Sequence, residues 1–305
     1  MTISPVALFV YNRPEHTKQT IEALKNNELA SQTDLIIFSD APKNDQAKEA
    51  VKNVRSYIRT ITGFKNISIF ERDINHGLAK SIINGVTEIV NKYGKIIVLE
   101  DDLITSPYFL KYMNEALDTY EKEEKIISIH GYSYPCKEEL PETYFIKGAD
   151  CWGWATWKRG WDLFEADGKK LLEEIRSKKL SKTFDLNGAY PYTQMLESQV
   201  YRLNNSWAIR WYASAFLKDK LTLYPGRSLV SNIGFDDSGT HTGSNKFFQV
   251  NISDRPVTIG NIPIEENRKA LEAIIKYFKS PKLFLFVKYL RIKNMIKIAR
   301  LKSKS

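Results

Sequence analysis

The sequence is poor in the residues on which several common protein classes depend. It has only two cysteines, Cys136 and Cys151, and no C-x-x-C spacing, so we expect reduced thiols and neither a disulfide framework nor a cysteine-based metal site. No stretch reaches the roughly 18 uncharged apolar residues of a membrane-spanning helix. The N-terminus lacks the charged and apolar regions of a signal peptide. These absences predict a globular protein of the cytoplasm.

Acidic residues are absent from the C-terminal end of the chain. Residues 276–305 hold ten of the 45 Lys and Arg residues and no Asp or Glu, so the other 275 residues carry 35 basic and 36 acidic side chains. A body with almost no net charge does not resemble a nucleic-acid-binding surface. The basic tail instead predicts a local anionic partner.

The tail mixes basic and apolar residues from position 282 onward. This pattern is typical of a basic amphipathic helix at a membrane interface, and its frequent charges make it too polar to span a bilayer. The alternative is a helix that docks on the body through its apolar face and leaves its charges in solvent. The apolar residues are Leu283, Phe284, Phe286, Val287, Leu290, Met295, Ile296, Ile298, Ala299 and Leu301.

Two glycine-rich phosphate-binding motifs, G-x-x-x-x-G-K-[ST] and G-x-G-x-x-G, are also missing. Their absence argues against a P-loop NTPase and against a dinucleotide-binding oxidoreductase. Any nucleotide must therefore be held by another arrangement of residues.

The first 130 residues alternate short apolar runs with helical patterns. Continuous apolar runs are expected for strands buried on both faces of a parallel sheet. Repeated β-α-β units with short loops predict an α/β fold with a mostly parallel sheet and helices on both faces. The predicted strands are 6–10, 35–38, 67–70 and 96–99; the predicted helices follow Pro14, cover about 45–60, run over 78–90 and begin with Ser106 as N-cap and Pro107 as first helical residue.

Four predicted strands deliver polar residues to one edge of this sheet. In open α/β sheets, ligands bind outside the carboxyl ends of the strands. The convergence of polar residues there predicts a binding site. The residues concerned are 11–13, Asp40, the loop after Phe70 and the acidic triplet at 100–102.

The acidic triplet, Glu100-Asp101-Asp102, offers a way to hold a diphosphate without a glycine-rich loop. Three carboxylates at one strand end repel each other unless a cation offsets them. Side chains alternate along an extended chain, so Glu100 and Asp102 are expected on one side and Asp101 on the other. One carboxylate could then bind Mg²⁺ or Mn²⁺, which neutralises a diphosphate leaving group, while a neighbour accepts a ribose or sugar hydroxyl. The alternative is a solvated acidic turn that caps the following helix.

Several segments resemble known glycosyltransferases. Residues 97–103, followed by Ser-Pro-Tyr-Phe at 106–109, are similar to the metal-site segment of the N-acetylglucosaminyltransferase I family, and residues 150–154 resemble the Trp-Gly-Trp element on the acceptor side of that family. The segments 11–14 and 75–79 resemble the broader GT-A fold, including bacterial family 2 glycosyltransferases. The resemblance covers about residues 5–160 and, more weakly, 205–242.

This resemblance implies a role for each matching position. Asp102 would bind the metal directly, Asp101 would lie near the ribose, and Glu100 would contact the sugar. Asp40 would lie near the uracil ring and Arg13 near the nucleotide, and Asn75 would belong to the same donor site. Trp152 and Trp154 would lie on the acceptor side and could stack on a sugar, although tryptophans this closely spaced also favour a place in the core for at least one of them. His241, in a loop that could close over the donor, would complete the metal or phosphate site, or be an ordinary surface histidine.

The sequence departs from that family at the catalytic base. The family places an Asp in a Trp-flanked segment beyond Trp-Gly-Trp, and the comparable segment here, residues 207–211, contains no acidic residue. An inverting transferase needs a carboxylate that takes the proton of the acceptor hydroxyl. Glu197, on a helix-like stretch at 192–203, is the first candidate, although it could equally be a solvated helix residue. Asp236 and Asp237, in a Gly- and Asp-rich loop, are the other candidates.

Together these features predict a metal-dependent, inverting glycosyltransferase. It would move a sugar from a nucleotide-diphosphate donor, expected to be UDP-linked, to a hydroxyl of a surface glycan or of a lipid-linked oligosaccharide. We expect one GT-A domain over 1–275, with a nucleotide-sugar half at about 1–130 and an acceptor half at about 131–260. The tail at 276–305 would hold the enzyme at the inner face of the cell membrane, and no nucleic-acid partner is expected.

Two other functions stay open from the sequence. A nucleotidyltransferase that makes a nucleotide sugar would use a related sheet, but its usual basic glycine-rich loop is replaced here by Asn-Arg-Pro-Glu at 12–15. A non-catalytic glycan-binding scaffold of the same fold is favoured only by the missing acidic residue at 207–211.

Overall fold

The computed structural model describes residues 2–236 and 246–302. In these two ranges the strands are β1 (Val6–Val10), β2 (Asp34–Ser39), β3 (Asn66–Glu71), β4 (Lys95–Glu100), β5 (Leu103–Thr105), β6 (Ile126–His130), β7 (Thr143–Lys147), β8 (Trp154–Trp157), β9 (Leu221–Pro225) and β10 (Val230–Asn232). The α-helices are α1 (Pro14–Lys25), α2 (Lys48–Ile58), α3 (Leu78–Tyr93), α4 (Phe109–Thr119), α5 (Lys158–Trp161), α6 (Gly168–Ser177), α7 (Ser181–Phe184), α8 (Tyr192–Val200), α9 (Trp207–Leu217), α10 (Arg268–Phe278) and α11 (Pro281–Lys302). Three short 3₁₀ turns lie at Ala30–Gln32, Asp45–Ala47 and Lys246–Phe248.

Eight strands form one sheet in the order β3-β2-β1-β4-β8-β6-β9-β7. The neighbouring pairs from β3 to β4 are parallel, and so is the pair β6 with β9. Strand β8 is antiparallel to β4 and β6, and β7 is antiparallel to β9. The mostly parallel α/β fold predicted from the sequence is therefore confirmed, and one sheet runs through both halves of the chain.

Strands β1, β2 and β4 are buried on both faces, which explains their apolar sequence, whereas the edge strand β3 alternates between exposed and partly buried residues. In β1, Val6, Leu8 and Val10 pack into a core layer that also contains residues of α1, α2 and α4. The alternate residues Ala7 and Phe9 pack into the opposite layer with residues of α3 and α9. Helices thus cover both faces of the sheet, as the sequence predicts.

The predicted elements of the first half lie within two or three residues of the observed ones, except at the helix after the acidic triplet. The prediction that Ser106 caps this helix and that Pro107 is its first residue is wrong, because α4 begins at Phe109 after the N-cap residue Tyr108. The short strand β5 pairs with β10 and continues into a turn in which the Phe109 N–H donates to the Ser106 carbonyl at 3.1 Å. The Ser106 hydroxyl donates to the Ser253 carbonyl at 2.8 Å and accepts the Tyr108 N–H at 3.2 Å, so it stabilises the turn before α4 and not the first turn of the helix itself.

The second half adds a helical layer and the basic C-terminal helix that the sequence predicts. Helices α6, α7, α8 and α9 share an apolar cluster of their own. Helix α11 packs on α8 and α10 through the buried side chains Leu283 and Val287. Among the helices of the described chain, none combines the length and the hydropathy that a bilayer crossing requires. Both cysteines are free thiols.

Candidate active site

The parallel strands bring the predicted polar residues to one edge of the sheet. The register pairs Val10 of β1 with Ser39 of β2, and Phe9 of β1 with Glu100 of β4. Residues 11–13, Asp40 and the acidic triplet therefore follow three adjacent strands at the same level. Because β8 runs antiparallel to β4 and pairs Trp154 with Val98, the residues before Trp154 reach this edge as well.

The acidic triplet is a largely buried cluster in which Asp101 is buried and Glu100 and Asp102 are partly exposed. Asp101 is 5% exposed, and its carboxylate contacts the Arg13 guanidinium and accepts the Tyr11 N–H at 3.3 Å. The side chain of Asp102 is 16% exposed, and its Oδ2 accepts from Nη2 of the same Arg13 at 3.0 Å. The triplet is thus not the solvated acidic turn that the sequence left open.

Burial, together with the neighbouring carboxylates, raises the pKa of Glu100 and of Asp101. Burial, followed by the charges of Asp102 and Asp101, raises the pKa of Glu100 to about 8. Burial alone would lower the pKa of Arg13, but the charges of Asp101 and Asp102 raise it above its ordinary value. The cluster therefore carries more carboxylates than its single guanidinium offsets, which favours a further cation there.

Asp40 ties the loops after β2 and β3 together. One carboxylate oxygen accepts the N–H groups of Ala41 and His76 at 2.9 Å, and the other accepts the Gly77 N–H at 2.8 Å and the Asn75 amide at 3.2 Å. Gly77 has φ 72° and ψ 159°, a conformation that favours glycine, and it directly precedes α3. The structure therefore brings Asp40 and Asn75 into direct contact. Together they form one side of the candidate site, here called the Asp40 wall.

Residues 231–236, here called the 231–236 segment, begin within β10 and cover the other side of the triplet. The Ile233 N–H donates to the Asp102 carbonyl at 2.9 Å, in continuation of the pairing between β10 and β5. Gly234 lies so close that a Cβ there would stand 2.3 Å from Oδ2 of Asp102 and 2.9 Å from Nη1 of Arg13. Two residues later, Oδ2 of Asp236 is 3.1 Å from Nε2 of His16 in the first turn of α1. Asp236 therefore contacts the first turn of α1 and follows by two residues the glycine that approaches Asp102.

A polar cleft of about 1200 Å³ opens beside this segment. Its described lining is rich in hydroxyl and amide groups, with two arginines and two aspartates that offset each other. It includes Ser133, Tyr134, Arg227, Ser228, Asn232, Phe235, Asp236, Gln249, Asn251, Asp254 and Arg255. Such a surface suits an uncharged ligand with many hydroxyl groups.

The other sequence-predicted residues lie in different surroundings. Trp152 is partly buried and packs edge-on against Phe235, with ring centroids 5.6 Å apart, so it lies behind a residue that lines the cleft. Trp154 has no exposed surface and packs among other tryptophans, so in this structure it offers no face to a sugar. Glu197 forms an ion pair with Arg176 at 3.0 Å in the helical layer, where α8 packs with α6, α7, α9 and α11. Asp237 and His241 lie outside the described residues.

Three features of the edge were not predicted from the sequence. They are the double ion pair of Arg13, the contact of His16 with Asp236, and the close approach of Gly234. His16 follows Arg13 by three positions and so lies on the same face of the first helical turn, which is a usable signal. The approach of Gly234 depends on a strand pairing between distant parts of the chain, which no local pattern indicates.

The donor set at the triplet fits a divalent cation that is shared with a bound ligand. Among the described residues, no group of three or more His, Cys, Asp or Glu side chains could enclose a metal ion. A cation such as Mg²⁺ does not need such a group, because it commonly takes one or two carboxylates and completes its shell with phosphate oxygens and water. The partly exposed Asp102 can supply such a carboxylate.

Comparison with known proteins identifies a family. The profile described as Glycosyl transferase family 2 matches residues 6–159, which is just over half of the 305 residues. No curated protein matches the sequence.

Several solved structures are similar in fold at low sequence identity. S. aureus TarS 1-349 aligns over 74% of this chain and 59% of that chain, with 9% identity and a TM-score of 0.41. GalNAc-T7 with UDP, GalNAc and Mn²⁺ aligns over 53% of this chain and 37% of that chain, with 10% identity and a TM-score of 0.37. The mannosyltransferase PcManGT from Pyrobaculum calidifontis, with GDP-Man and Mn²⁺, aligns over 70% and 74%, with 12% identity and a TM-score of 0.34. The chain thus spans less than two thirds of the length of the first two.

Proposed function

The chain belongs to glycosyl transferase family 2, and from that premise we propose that it is a metal-dependent, inverting transferase with a nucleotide-diphosphate donor, UDP-linked by preference. The acceptor would be a hydroxyl of a surface glycan or of a lipid-linked oligosaccharide. The observation that carries this proposal is the acidic triplet at the sheet edge, with Asp102 partly exposed between the Asp40 wall and the 231–236 segment.

Each part of the edge has a role in this proposal. Asp102 would hold Mn²⁺ or Mg²⁺, which offsets the charge of the diphosphate leaving group when bound. Asp40 and Asn75 keep the loops after β2 and β3 in place around the nucleotide, and the 11–13 segment faces it from β1. The polar cleft beside Asp236 would receive the acceptor, because its hydroxyl and amide lining matches a sugar chain.

For the proton, we propose Asp236 as the general base. The acceptor oxygen would form a bond to the anomeric carbon while the bond from that carbon to the diphosphate breaks, and the hydroxyl proton would pass to the Asp236 carboxylate. Asp236 lines the cleft two residues after the glycine that approaches Asp102, and its side chain is 48% exposed, so an acceptor can reach it. Glu197, the first candidate from the sequence, is held by Arg176 in the helical layer and serves as the comparison.

The proposal is tested first with donors. The full chain is incubated with UDP-glucose, UDP-galactose, UDP-N-acetylglucosamine, UDP-N-acetylgalactosamine and GDP-mannose, with Mn²⁺ or with EDTA. We expect one donor to raise the unfolding temperature and to release its nucleoside diphosphate only in the presence of Mn²⁺. An inverting mechanism further requires that the first sugar released by slow hydrolysis, followed by proton NMR, has the anomeric configuration opposite to that of the donor. Release without Mn²⁺, or with retained configuration, contradicts the corresponding part of the proposal, and no release from any donor contradicts the whole.

The C-terminal helix α11 is proposed to hold the enzyme at an anionic membrane. Its apolar residues do not share one face: some are buried against the body and others are exposed. Leu283, Val287 and Ile298 are buried, whereas Leu285 and Tyr289 are 66% and 58% exposed. At 100° per residue, the exposed residues Leu285, Tyr289, Ile292 and Ile296 form one stripe, here called the outer stripe.

Basic residues flank the outer stripe. Lys282, Lys293 and Arg300 lie on one side of it and Lys288 on the other, and the helix contains no acidic residue. An apolar stripe between lysines and arginines complements an anionic lipid surface, to which each basic residue contributes on the order of 1 kcal/mol. The inner face meanwhile docks on the body, and Nη2 of Arg291 donates to the Gly188 carbonyl at 2.8 Å. We therefore propose that both interpretations of the tail apply, each to a different face of α11.

Because the inner face is part of the core, truncation would confuse membrane binding with folding. The sharper test replaces exposed residues in the full chain. The double variant Leu285→Glu with Ile292→Glu should lose flotation with phosphatidylglycerol vesicles at low salt while its unfolding temperature stays unchanged. Leu203→Glu, which changes a side chain that is 37% exposed near α8, is the matched control. Equal flotation of the double variant and the wild type would refute the membrane role of the outer stripe.

A further inference from the structure

Arg13 occupies a central position among the charges of the site. It is the residue directly before α1, and its Nη2 contacts Oδ1 of Asp101 and lies 3.0 Å from Oδ2 of Asp102. Its side chain is 18% exposed, and the Gly234 backbone closes over its other terminal nitrogen. The guanidinium therefore bridges the fully engaged carboxylate of the triplet and the partly accessible one.

This geometry places the guanidinium in competition with a metal ion. Oδ2 of Asp102 is the atom that accepts from Arg13, and Asp102 is the carboxylate proposed to bind the divalent cation. Two cations a few ångströms apart repel each other strongly where water is largely excluded. A metal ion that arrives alone must therefore weaken the bond between Arg13 and Asp102.

A bound diphosphate changes this balance. Guanidinium groups bind phosphate oxygens through charge-assisted hydrogen bonds, so Arg13 can exchange Asp102 for the donor and keep its bond to Asp101. The carboxylate of Asp102 is then available to the metal ion, and the added negative charge of the diphosphate offsets both cations.

We propose that Arg13 is the internal counter-ion of the acidic triplet and that it makes binding of the divalent cation depend on binding of the donor. The proposal rests on the proposed function, because it assigns the metal to Asp102. Thermodynamic linkage makes the effect reciprocal, so a nucleotide that strengthens Mn²⁺ binding by some factor is itself bound more tightly with Mn²⁺ by the same factor. Arg13 is thus a positioning residue that selects the metal-donor pair over either partner alone.

The test measures binding of Mn²⁺ alone to the full chain, by the electron paramagnetic resonance signal of the free ion. Arg13→Gln removes the charge and keeps hydrogen-bonding capacity, and it should bind Mn²⁺ about tenfold more tightly than the wild type, since removal of about 1.4 kcal/mol of repulsion corresponds to that factor. Addition of UDP should strengthen Mn²⁺ binding in the wild type and do so much less in Arg13→Gln. Arg13→Lys, which keeps the charge, should behave like the wild type.

Two further variants locate the effect. Arg59→Gln, which removes an exposed guanidinium bound to Glu71, is the matched control and should leave Mn²⁺ binding unchanged. Adding Asp102→Ala to Arg13→Gln should abolish the gain in affinity, because the gained site is Asp102.

The counter-ion role is overturned if Arg13→Gln binds Mn²⁺ no more tightly than the wild type, including the case in which neither binds it. A gain that survives Asp102→Ala also overturns it. If the gain appears as expected but the wild-type protein consumes no nucleotide-sugar donor, the proposed function fails while the role of Arg13 stands.

Discussion

The two walls of the candidate site are built in different ways. One wall, here called the donor wall after the role proposed for it, consists of loops that directly follow parallel strands, and its carboxylates Asp40 and Asp101 are 7% and 5% exposed and accept several hydrogen bonds. The wall opposite is the 231–236 segment, which arrives through the antiparallel pair of β10 with β5, and its Asp236 is 48% exposed. The comparison suggests that the donor wall fixes charges in place, whereas the opposite wall presents a group that an incoming acceptor can reach.

Such a division fits the needs of the two substrates in the proposed function. A nucleotide diphosphate brings several negative charges and must meet positioned groups, which buried and mutually bonded side chains provide. An acceptor hydroxyl must lose a proton to a group that remains accessible, and an exposed carboxylate can accept it. Four substitutions test whether the walls are separate in this sense.

The largest effect is expected at the junction of the walls. Asp102→Ala should lower kcat/KM by about 10³-fold or more, because it removes the carboxylate that would hold the cation beside the leaving group. Stability should change little, since Arg13 keeps its contact with Asp101. Rates of nucleoside diphosphate release, measured over a range of Mn²⁺ concentrations, check this. Asp162→Ala, which breaks an exposed ion pair with Lys158, is the control. Near-normal turnover of Asp102→Ala with an unchanged Mn²⁺ requirement would refute the assignment of the metal to Asp102.

A smaller effect is expected when only the opposite wall is altered. Asp236→Asn keeps the shape of the side chain but cannot accept a proton, so the turnover number should fall about 10²-fold while donor affinity stays similar. Glu197→Gln should change turnover by less than about threefold, because Glu197 is bound to Arg176 in the helical layer. Steady-state kinetics of transfer and donor titrations measure both. If Glu197→Gln lost turnover and Asp236→Asn did not, Glu197 would be the base and the proposed difference between the two walls would be wrong.

The two walls also differ in how far the sequence predicts them. Strands β1 to β4 are short apolar runs in register, so their carboxyl ends, and with them Asp40 and the triplet, could be placed from local patterns alone. The 231–236 segment reaches Asp102 through a pairing between residues more than a hundred positions apart, and no periodicity in either segment indicates it. For the same reason the sequence could not show that Trp154 is buried, since its neighbours Trp207 and Trp211 come from a distant helix.

Glu197 illustrates a second limit of the sequence. A carboxylate on a helix has the same local pattern whether it faces a substrate or a guanidinium on the next helix. Only the packing of α6 against α8, which brings Arg176 within 3.0 Å, separates the two. The helix itself was predicted at nearly its observed position.

The donor wall should respond to substitution mainly through stability. Asp40→Asn replaces one acceptor oxygen by an N–H donor that faces the N–H groups of the neighbouring loops. Leaving such buried donors without an acceptor should lower the free energy of unfolding by about 2 kcal/mol. Asp34→Asn, at the other end of β2 and bonded only in an exposed pair with Asn66, should lower it by less than about 0.5 kcal/mol. Urea denaturation compares the two, and equal losses would show that Asp40 does not tie the loops together.

The smallest effect is expected at Gly234. A substitution there tests directly whether the two walls are in contact. In Gly234→Ala the new Cβ would stand 2.3 Å from Oδ2 of Asp102, so the segment, the carboxylate or both must shift. A displacement of about 1 Å at reacting groups can lower a rate by up to about 10²-fold. Because the segment lies at the surface and can absorb part of the shift, we expect the turnover number to fall about tenfold. The unfolding free energy should stay within about 0.5 kcal/mol of the wild type, because the segment lies at the surface. Gly260→Ala, where an added Cβ meets its nearest neighbour at 4.0 Å, is the matched control. A Gly234→Ala protein with wild-type turnover would mean that the 231–236 segment moves away from Asp102 during catalysis, and the two walls would then meet only in the free enzyme.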